Sequence, residues 1–333
     1  MRAVVMTRTG GPDVLEPREI PTPDPRGEHD VLVRLHAAAL NPADVWFRSL
    51  GPYIAGAMPC ILGHDGAGVV ERVGSGVATL RPGDRVAFCN GGIGGDPGTY
   101  AEYAVVPEAQ AVRIPEGIGF CQAAAAPLVS ITAWEALYDR ANLRAGEHVL
   151  IHAGAGGTGH VAVQLARLRG AHVAATVGDA AKADFVRGLG AGLAIRYRDG
   201  DFVAAVRDWT LGRGADVALD NVGADVMRRT FAAMAPYGRI VTLIGMPADT
   251  DDGTAYVRNL TIANVMMLTP MWLGLRDRLA EQAAIVGRVL ELMAQGRLVV
   301  HIAATFPLER VAEAHRMLEA GGVTGKIVLA IRP

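Results

Sequence analysis

The sequence has few cysteines and no long apolar run, and each of these absences excludes a class of protein. Its 333 residues include three cysteines, Cys60, Cys89 and Cys121, which are too few and too widely spaced for a disulfide framework or a paired-cysteine metal knuckle. No segment approaches the about 18 uninterrupted apolar residues that a membrane-spanning helix needs, and the first apolar stretch is too short for a signal peptide. We therefore expect a cytoplasmic protein without a membrane span.

An excess of charge of one sign is also missing. The formal net charge is -2, and the basic residues are scattered along the chain rather than grouped. Because a surface that binds nucleic acid or anionic lipid carries a basic patch, neither is an expected partner. The chain is 50% apolar, which is enough for sizeable cores, and its length indicates two domains.

The pattern of apolar residues changes near residue 120. Before this point, short alternating runs at 31–36, 68–73 and 84–88 are separated by glycine- and proline-rich turns. Runs of this kind predict a β-rich module. The stretch 121–143 then has few helix-breaking residues and predicts one helix.

From residue 148 the sequence alternates between apolar strands and amphipathic helices. This alternation predicts a parallel sheet covered by helices on both faces, and right-handed crossovers make such a sheet doubly wound. The predicted strands are 148–153, 171–177, 194–197, 217–219, 239–244 and 260–267, and the predicted helices are 157–169, 180–189, 202–211 and 226–234.

The tail of the chain does not continue this alternation. It mixes the predicted helices 275–295 and 308–320 with the predicted strands 298–304 and 326–331. We therefore expect an α/β chain of two domains, the first formed by residues 1–120 and 270–333 and the second by residues 121–269.

A glycine-rich turn joins the strand 148–153 to the helix 157–169. It reads Gly-Ala-Gly-Gly-Thr-Gly, which is a dinucleotide-binding signature when it lies between a strand and a helix. Glycines let the backbone approach a pyrophosphate, whose charge meets the helix N-terminus. The alternative is a turn that only connects the two elements. The residues expected at the cofactor are Gly154, Gly156, Gly157, Thr158 and Gly159.

The end of the next strand favours NADPH over NADH. An NAD site usually has an acidic residue there that binds the ribose hydroxyls, but this strand ends in Val177 and Gly178. Lys182 follows in the next helix and can pair with a 2′-phosphate; the alternative is a solvated surface charge. Asp179 is acidic, but a short polar residue at this point also suits a helix N-cap.

Four short blocks outside the glycine turn are also informative. They are Asn41-Pro42-Ala43-Asp44, Gly63-His64-Asp65-Gly66-Ala67-Gly68-Val69-Val70, Arg81-Pro82-Gly83-Asp84-Arg85-Val86 and Thr324-Gly325-Lys326-Ile327-Val328-Leu329. With the glycine turn, they resemble the medium-chain dehydrogenase/reductase superfamily over nearly the whole chain. The resemblance implies a GroES-like β-rich catalytic domain, built from the N-terminal part and the C-terminal tail, a Rossmann domain, and usually a homodimer.

The zinc enzymes of that superfamily have metal ligands that this chain lacks. By the resemblance, their three ligand positions fall here at Asn41, His64 and about Val129, of which only His64 can bind a metal. Since a catalytic zinc needs three protein ligands, we expect no zinc and a hydrogen-bonded structural role for His64. Asn41 followed by Asp44 instead resembles the zinc-independent quinone oxidoreductase branch, which includes the zeta-crystallins.

The same resemblance implies further site residues. Tyr53 lies near the sequence position of a tyrosine that often lines the substrate pocket in that branch. Trp46 stands where the branch often has another tyrosine. Thr132 is expected near the nicotinamide ribose and Tyr197 near the adenosine end of the cofactor. The alternatives are that Thr132 is only part of a helix and that Tyr197 is only a packing residue. The residues expected along the dinucleotide at later strand ends are Asn221, Ile244 and Gly245.

These residues predict hydride transfer without a metal. In the absence of a Lewis acid, the favoured acceptors are those that take hydride readily, such as quinones or alkenes conjugated to a carbonyl. Asn41 can donate a hydrogen bond to the acceptor oxygen or to the nicotinamide amide, and Tyr53 can supply a proton, as can water. The leading function is NADPH-dependent reduction of a small-molecule acceptor of the quinone type. An enone or alkenal double-bond reductase and, outside enzymes, a dinucleotide-binding redox sensor are the alternatives.

Overall fold

The computed structural model describes residues 1–51, 57–246 and 253–332. The chain divides into two units: Met1–Leu128 together with Leu268–Pro333, called the first unit below, and Val129–Met267, the second unit. The N-terminal and C-terminal parts of the chain thus share a unit. Within the described ranges, no helix is both long and apolar enough to cross a membrane.

The N-terminal part consists mostly of short strands joined by turns. Its longest strand, Asp30–Ala39, is buried along most of its length, as expected for its run of valine, leucine and alanine. The elements in chain order are β1 (Arg2–Met6), β2 (Leu15–Glu19), β3 (Asp30–Ala39), α1 (Pro42–Leu50), β4 (Asp65–Val73), β5 (Arg85–Cys89), β6 (Tyr103–Pro107), β7 (Val112–Arg113) and α2 (Phe120–Ala125).

Strands and helices alternate through the middle of the chain. The elements are α3 (Pro127–Trp134), β8 (His148–Ile151), α4 (Gly157–Leu168), β9 (His172–Val177), α5 (Ala180–Gly188), β10 (Leu193–Arg196), α6 (Phe202–Trp209), β11 (Ala215–Asp220), α7 (Ala224–Ala233), β12 (Met234–Thr242), α8 (Thr254–Val257) and β13 (Thr261–Asn264). The C-terminal part adds α9 (Thr269–Leu273), α10 (Arg276–Ala294), β14 (Ile302–Pro307), α11 (Val311–Ala320) and β15 (Lys326–Ala330).

The second unit is built on a six-stranded sheet of order β10-β9-β8-β11-β12-β13, in which every pairing is parallel. Counted from β8, this is the strand order 3-2-1-4-5-6 of the dinucleotide-binding fold. The predicted parallel, doubly wound sheet is therefore confirmed. Its order reverses between β8 and β11, and ligands of such sheets bind at this reversal, outside the carboxyl ends of the strands.

One face of this sheet is held by a core of large apolar side chains. Leu150, Phe202, Phe231, Met234 and Ile240 belong to one cluster and are almost completely buried. Burial of each such side chain contributes about 1.5–3 kcal/mol. The core fixes helices α6 and α7 against the strands whose carboxyl ends form the candidate cofactor site.

The first unit contains a second sheet, of order β14-β15-β3-β4-β5-β7, with β6 paired to β3. Strand β15 runs antiparallel to β3, with Val328 opposite Ala39. The next backbone hydrogen bond joins Leu40 N to the carbonyl oxygen of Ile327 at 3.0 Å. The C-terminal strand thereby brings its first residue, Lys326, beside the end of β3.

Several predicted elements differ from those observed, among them the strand 239–244, which is observed as Met234–Thr242. The helix predicted over 121–143 is wrong as a single element, because α2 ends at Ala125 and α3 begins at Pro127. Proline lacks an N–H and restricts the residue before it, so it starts a helix rather than continuing one. The predicted strand 298–304 begins only at Ile302, and the predicted strand 260–267 is limited to Thr261–Asn264.

Candidate active site

The glycine-rich turn lies where β8 passes into α4, at the carboxyl edge of the second unit's sheet. The N–H of Gly154 donates to the carbonyl oxygen of Thr176 at 2.9 Å, which ties the turn to β9. A Cβ on Gly159 would lie 2.2 Å from the carbonyl oxygen of Ala153, and one on Gly154 would lie 2.7 Å from the Cβ of Ala175. These two positions therefore have room only for glycine.

The same turn fits the pyrophosphate of a dinucleotide. Gly156 is the N-cap of α4 and has no side chain to cap the helix. The first N–H groups of α4 therefore have no side-chain cap, and such N–H groups at a helix N-terminus can bind phosphate. Gly157, Thr158 and Gly159 form the first turn of this helix.

The ends of β11 and β12 lie beside each other at the same edge. Asn221 donates from Nδ2 to the carbonyl oxygen of His152 at 2.7 Å, and its buried Oδ1 has no partner in the part of the chain that the structure describes. Ile244 is half-exposed and sits against Gly223, whose added Cβ would lie 2.9 Å from Ile244 Cγ2. Gly245 follows with φ +90°. Asn221, Ile244 and Gly245 thus lie where a dinucleotide is expected.

The residues predicted to select the cofactor lie at the end of β9. Asp179 accepts a hydrogen bond from Lys182 N at 2.8 Å, so this acidic residue is the N-cap of α5. Tyr197 is half-exposed, and its hydroxyl would lie 3.3 Å from a Cβ on Gly178. The guanidinium of Arg198 lies 5.8 Å from the centre of the Tyr197 ring. Arg198 is a second cation near this strand end, which the sequence patterns did not single out.

Asn41 lies in a buried polar cluster of the first unit, between β3 and α1. Its Nδ2 donates to Asp65 Oδ2 at 2.9 Å, and its Oδ1 accepts from Lys326 Nζ at 2.5 Å. Lys326 also donates to the carbonyl oxygen of Leu40 at 2.8 Å, and Asp65 Oδ1 accepts from Leu128 N at 2.8 Å. Lys326 and Asp65 were missed as site residues, although both belong to the sequence blocks that carry the family resemblance.

His64 and Asp44 face each other in the same interior. His64 Nδ1 lies 2.7 Å from the carbonyl oxygen of Gly91, which can only accept, so Nδ1 carries a proton. His64 Nε2 lies 3.5 Å from Asp44 Oδ1, and neither atom has a hydrogen-bond partner among the described residues. Because two facing lone pairs would repel each other, one proton lies between these atoms. Burial raises the pKa of the Asp44 carboxyl, with His64 opposing the rise, which favours finding the proton on Asp44.

A series of hydrogen bonds leads from Asp44 toward the surface. Arg48 donates to His315 Nδ1 at 3.3 Å, so the neutral imidazole donates from Nε2 to the Tyr100 hydroxyl at 3.2 Å. The Tyr100 hydroxyl donates to Asp44 Oδ2 at 2.9 Å. Burial, with the charge of Arg48, lowers the pKa of His315 to about 3. Arg48 in turn pairs with Glu319, which is partly exposed, so the network holds Asp44 in one orientation.

The remaining predicted site residues are placed as follows. Thr132 is buried in α3, and its position beside the nicotinamide ribose stays a prediction. Tyr53 lies outside the described residues. Trp46 is on α1 and 44% exposed. Within the described ranges, no group of three or more His, Cys, Asp or Glu side chains could hold a metal ion.

Comparison with known protein families finds matches to both units. The model of the alcohol dehydrogenase GroES-like domain matches residues 27–116. The model described as zinc-binding dehydrogenase matches residues 189–329. Together they cover most of the chain and confirm the predicted combination of a GroES-like β-rich part with a Rossmann-type part.

Several curated relatives match over nearly their full length. The quinone oxidoreductase of Pseudomonas aeruginosa is 34% identical over 329 residues, which cover 96% of each protein. The human quinone oxidoreductase is 31% identical, covering 99% of this chain and 98% of the relative. The 2-haloacrylate reductase of a Burkholderia species is 30% identical, covering 98% of both.

Solved structures agree with this grouping. A structure titled NAD-dependent alcohol dehydrogenase has a TM-score of 0.89 and 36% identity and covers all of both chains. The Escherichia coli quinone oxidoreductase complexed with NADPH has a TM-score of 0.88 and 30% identity, covering 99% of this chain and all of that one. The chain is therefore an oxidoreductase of the medium-chain dehydrogenase/reductase superfamily and belongs to its zinc-independent quinone oxidoreductase branch.

Proposed function

We propose that this enzyme uses NADPH to reduce a quinone-type small molecule by hydride transfer and needs no zinc. The observation that carries the metal-free part of the proposal is the ammonium of Lys326, which is buried against Asn41 and Asp65. The family resemblance puts the first metal ligand of the zinc enzymes at Asn41. A buried cation in contact with this side chain repels a second cation, and Val129 offers no ligand atom.

The dinucleotide part of the proposal is supported by the second unit. The turn at Gly154 and Gly159 fits a pyrophosphate, and the order of the parallel strands puts the binding edge beside it. When bound, the reduced nicotinamide supplies the hydride. The chain's own residues bind and orient the cofactor, with Asn221, Ile244 and Gly245 along the dinucleotide and Thr132 near the nicotinamide ribose.

The choice of NADPH is supported by the end of β9. Val177 stands where an NAD site has its acidic residue, and Asp179 is occupied as a helix cap. Lys182 and Arg198 both follow the end of β9 in sequence and can pair with a 2′-phosphate, next to Gly178 and Tyr197. The Escherichia coli relative that was solved with NADPH supports the same choice.

An enone or alkenal double-bond reductase is the second candidate. The observation that favours it is the similarity to the 2-haloacrylate reductase, whose name states an alkene conjugated to a carboxyl group. Both candidates need a hydrogen-bond donor for an acceptor oxygen, which Asn41 would provide. They differ in the acceptor alone, so the same assay separates them. The redox-sensor alternative without turnover lacks a supporting observation, because the chain belongs to an enzyme family.

The test is a panel of acceptors with both cofactors. Oxidation of NADPH and of NADH is followed by absorbance with quinones, enones and saturated aldehydes, before and after treatment with a chelator. We expect faster turnover with NADPH, reduction of quinones ahead of enones, no reduction of aldehydes and no effect of the chelator. Loss of activity with the chelator would contradict the metal-free proposal, and faster turnover with NADH would contradict the cofactor proposal.

We also propose a homodimer in a reducing compartment such as the cytoplasm. Strand β13 lies at an edge of the second unit's sheet, and an edge strand is stabilised when a partner covers it. The three cysteines are unpaired, which supports a reducing compartment. Light scattering coupled to size-exclusion chromatography tests the dimer, and a monomeric mass would contradict it.

A further inference from the structure

The chain uses arginine for nearly all of its positive side chains. Of its 32 basic residues, 30 are arginine and two, Lys182 and Lys326, are lysine. Lys182 belongs to the proposed cofactor site, whereas Lys326 starts strand β15 and is only 4% exposed. Lysine is among the residues that are least often buried. A lysine in the interior of a chain that otherwise uses arginine therefore needs a local reason.

The reason is the shape of the surroundings of Lys326. Three oxygens converge on its Nζ: the carbonyl oxygen of Leu40 at 2.8 Å, Asn41 Oδ1 at 2.5 Å and Asp65 Oδ2 at 3.4 Å. An ammonium directs three N–H bonds from a single nitrogen and matches this set. A guanidinium spreads its donors over a planar fork, which suits paired acceptors in one plane. The cluster thus accommodates a compact cation.

The ammonium also decides the orientation of the Asn41 amide. Asn41 Oδ1 faces Lys326, and Nδ2 donates one of its two N–H bonds to Asp65. If the amide were turned by half a rotation, Nδ2 would face the ammonium and Oδ1 would face the carboxylate, so both contacts would be repulsive. Contact of Oδ1 with a cation polarises the amide and strengthens its remaining N–H as a donor.

We propose that Lys326 is a positioning residue for the reduction: it fixes and polarises Asn41, whose second N–H donates to the acceptor oxygen. This inference rests on the proposed function. The acceptor gains two electrons as a hydride from the reduced dinucleotide, which is left oxidised, and negative charge develops on the acceptor oxygen. A proton from water then neutralises that oxygen. A preorganised donor aimed at such a charge stabilises the transition state more than the ground state.

Substitution of the two lysines is expected to change different kinetic constants, kcat for Lys326 and KM for NADPH for Lys182. Lys326→Met is expected to lower kcat about 100-fold, the scale of losing one preorganised donor, and to leave KM for NADPH within about twofold. Lys182→Met is the matched control, since it removes the other lysine, and it is expected to raise KM for NADPH instead. Thermal unfolding shows whether Lys326→Met is folded. Lys326→Gln is the second variant, because its amide can donate to Asn41 but carries no charge, and it is expected to remain well below wild type in kcat.

A double-mutant cycle separates positioning from a general structural effect. If Lys326 acts through Asn41, then Lys326→Met changes kcat by less than about threefold in an Asn41→Ala background. Equal losses from Lys326→Met in the wild-type and Asn41→Ala backgrounds would overturn the proposal. Lys326→Met with wild-type kcat would overturn it as well.

A second readout needs no turnover. Because the chain has two lysines, protein labelled with ¹⁵N at lysine alone gives a simple side-chain spectrum, which Lys182→Met assigns. The probe is 4-nitrophenolate, whose oxygen stands in for the charged acceptor oxygen, added to saturation as judged by its absorbance, with and without NADP⁺. We expect the Lys326 signal to move in wild type and not in Asn41→Ala. An unmoved signal in wild type overturns the proposal, whereas absence of NADPH oxidation with every acceptor counts against the proposed function alone.

Discussion

The buried imidazole of His315 makes a quantitative prediction about stability in acid. It lies between the Tyr100 hydroxyl and Arg48, and its pKa falls from the usual 6.5 to about 3 because burial and the Arg48 charge disfavour the imidazolium. The folded protein therefore keeps this ring neutral over a pH range in which the unfolded chain protonates it. Between pH 6.5 and about 3, the unfolded state binds the extra proton, so the free energy of unfolding falls as the pH falls.

The size of the effect follows from the two pKa values. The contribution of the neutral His315 ring to the free energy of unfolding is fully present above pH 6.5. Below pH 6.5 it is lost at about 1.4 kcal/mol per pH unit, until the folded pKa of about 3 is reached. From about pH 7 to about pH 5, this loss is about 2 kcal/mol. His152 is also buried, with a pKa lowered by burial to about 4, and it adds a loss of the same sign.

The test variant is His315→Gln, because a glutamine amide can accept from Arg48 and donate to Tyr100 as the neutral imidazole does. The free energy of unfolding in urea is measured for both proteins at about pH 8, 7, 6 and 5. The difference between the two proteins at about pH 8, where the ring is neutral in both states, is subtracted as the packing difference. Between about pH 7 and about pH 5, we expect the free energy of unfolding of the variant to fall by about 2 kcal/mol less than that of wild type. Parallel pH profiles would refute the reasoning, because they would mean that His315 does not stay neutral in the folded state.

Three further changes follow from the sites. Lys182→Ala is expected to weaken NADPH binding about tenfold and to leave NADH binding nearly unchanged, as measured by fluorescence titration, because only NADPH carries the 2′-phosphate. Gly159→Ala is expected to weaken binding of both dinucleotides more than about 100-fold, since its Cβ would lie 2.2 Å from a carbonyl oxygen and would distort the turn. Asp44→Asn is expected to change the free energy of unfolding by less than about 1 kcal/mol, because its amide can donate to His64 as a protonated carboxyl does.

Each of these changes has a control nearby. Arg187 is an exposed cation on the same helix as Lys182, so Arg187→Ala should leave both affinities unchanged. Gly188 has open space around its Cα, and Gly188→Ala should bind dinucleotide normally. Asp44→Ala should destabilise the protein by about 1–3 kcal/mol, since it leaves buried donors unpaired. An Asp44→Asn variant as unstable as Asp44→Ala would show that the proton resides on His64.

The sequence was sufficient for features that depend on local patterns. The period of the apolar residues predicted the alternating strands and helices of the second unit, and the turn at Gly154 and Gly159 marked the edge at which we propose that a dinucleotide binds. Asp179 was recognised as a possible N-cap, and the structure shows it in that role. Such signals are readable because the residues that cause them are neighbours in the chain. The single helix predicted over 121–143 was wrong because the local effect of Pro127, which starts a new helix, was overlooked.

The candidate active site depends on contacts that no local pattern contains. The sequence identified Asn41 as a replaced metal ligand and a hydrogen-bond donor but not its partners, which are Asp65 and a lysine 285 residues further along the chain. Tyr100 and His315 likewise meet only in the folded first unit. Hydrogen-bond partners of this kind follow from strand order, which the β-rich part of the sequence leaves open.

The register of β15 against β3 therefore decides the chemistry of the first unit as much as any motif does. Val328 pairs with Ala39, and this pairing places Lys326, two residues earlier, near the end of β3, where Asn41 is the N-cap of α1. Since side chains alternate between the two faces of a strand, a slip of one residue would present Ile327 instead and leave the carboxylate of Asp65 buried without a cation. The position of the Lys326 ammonium, which orients Asn41, is thus fixed by the same backbone hydrogen bonds that join β15 to β3.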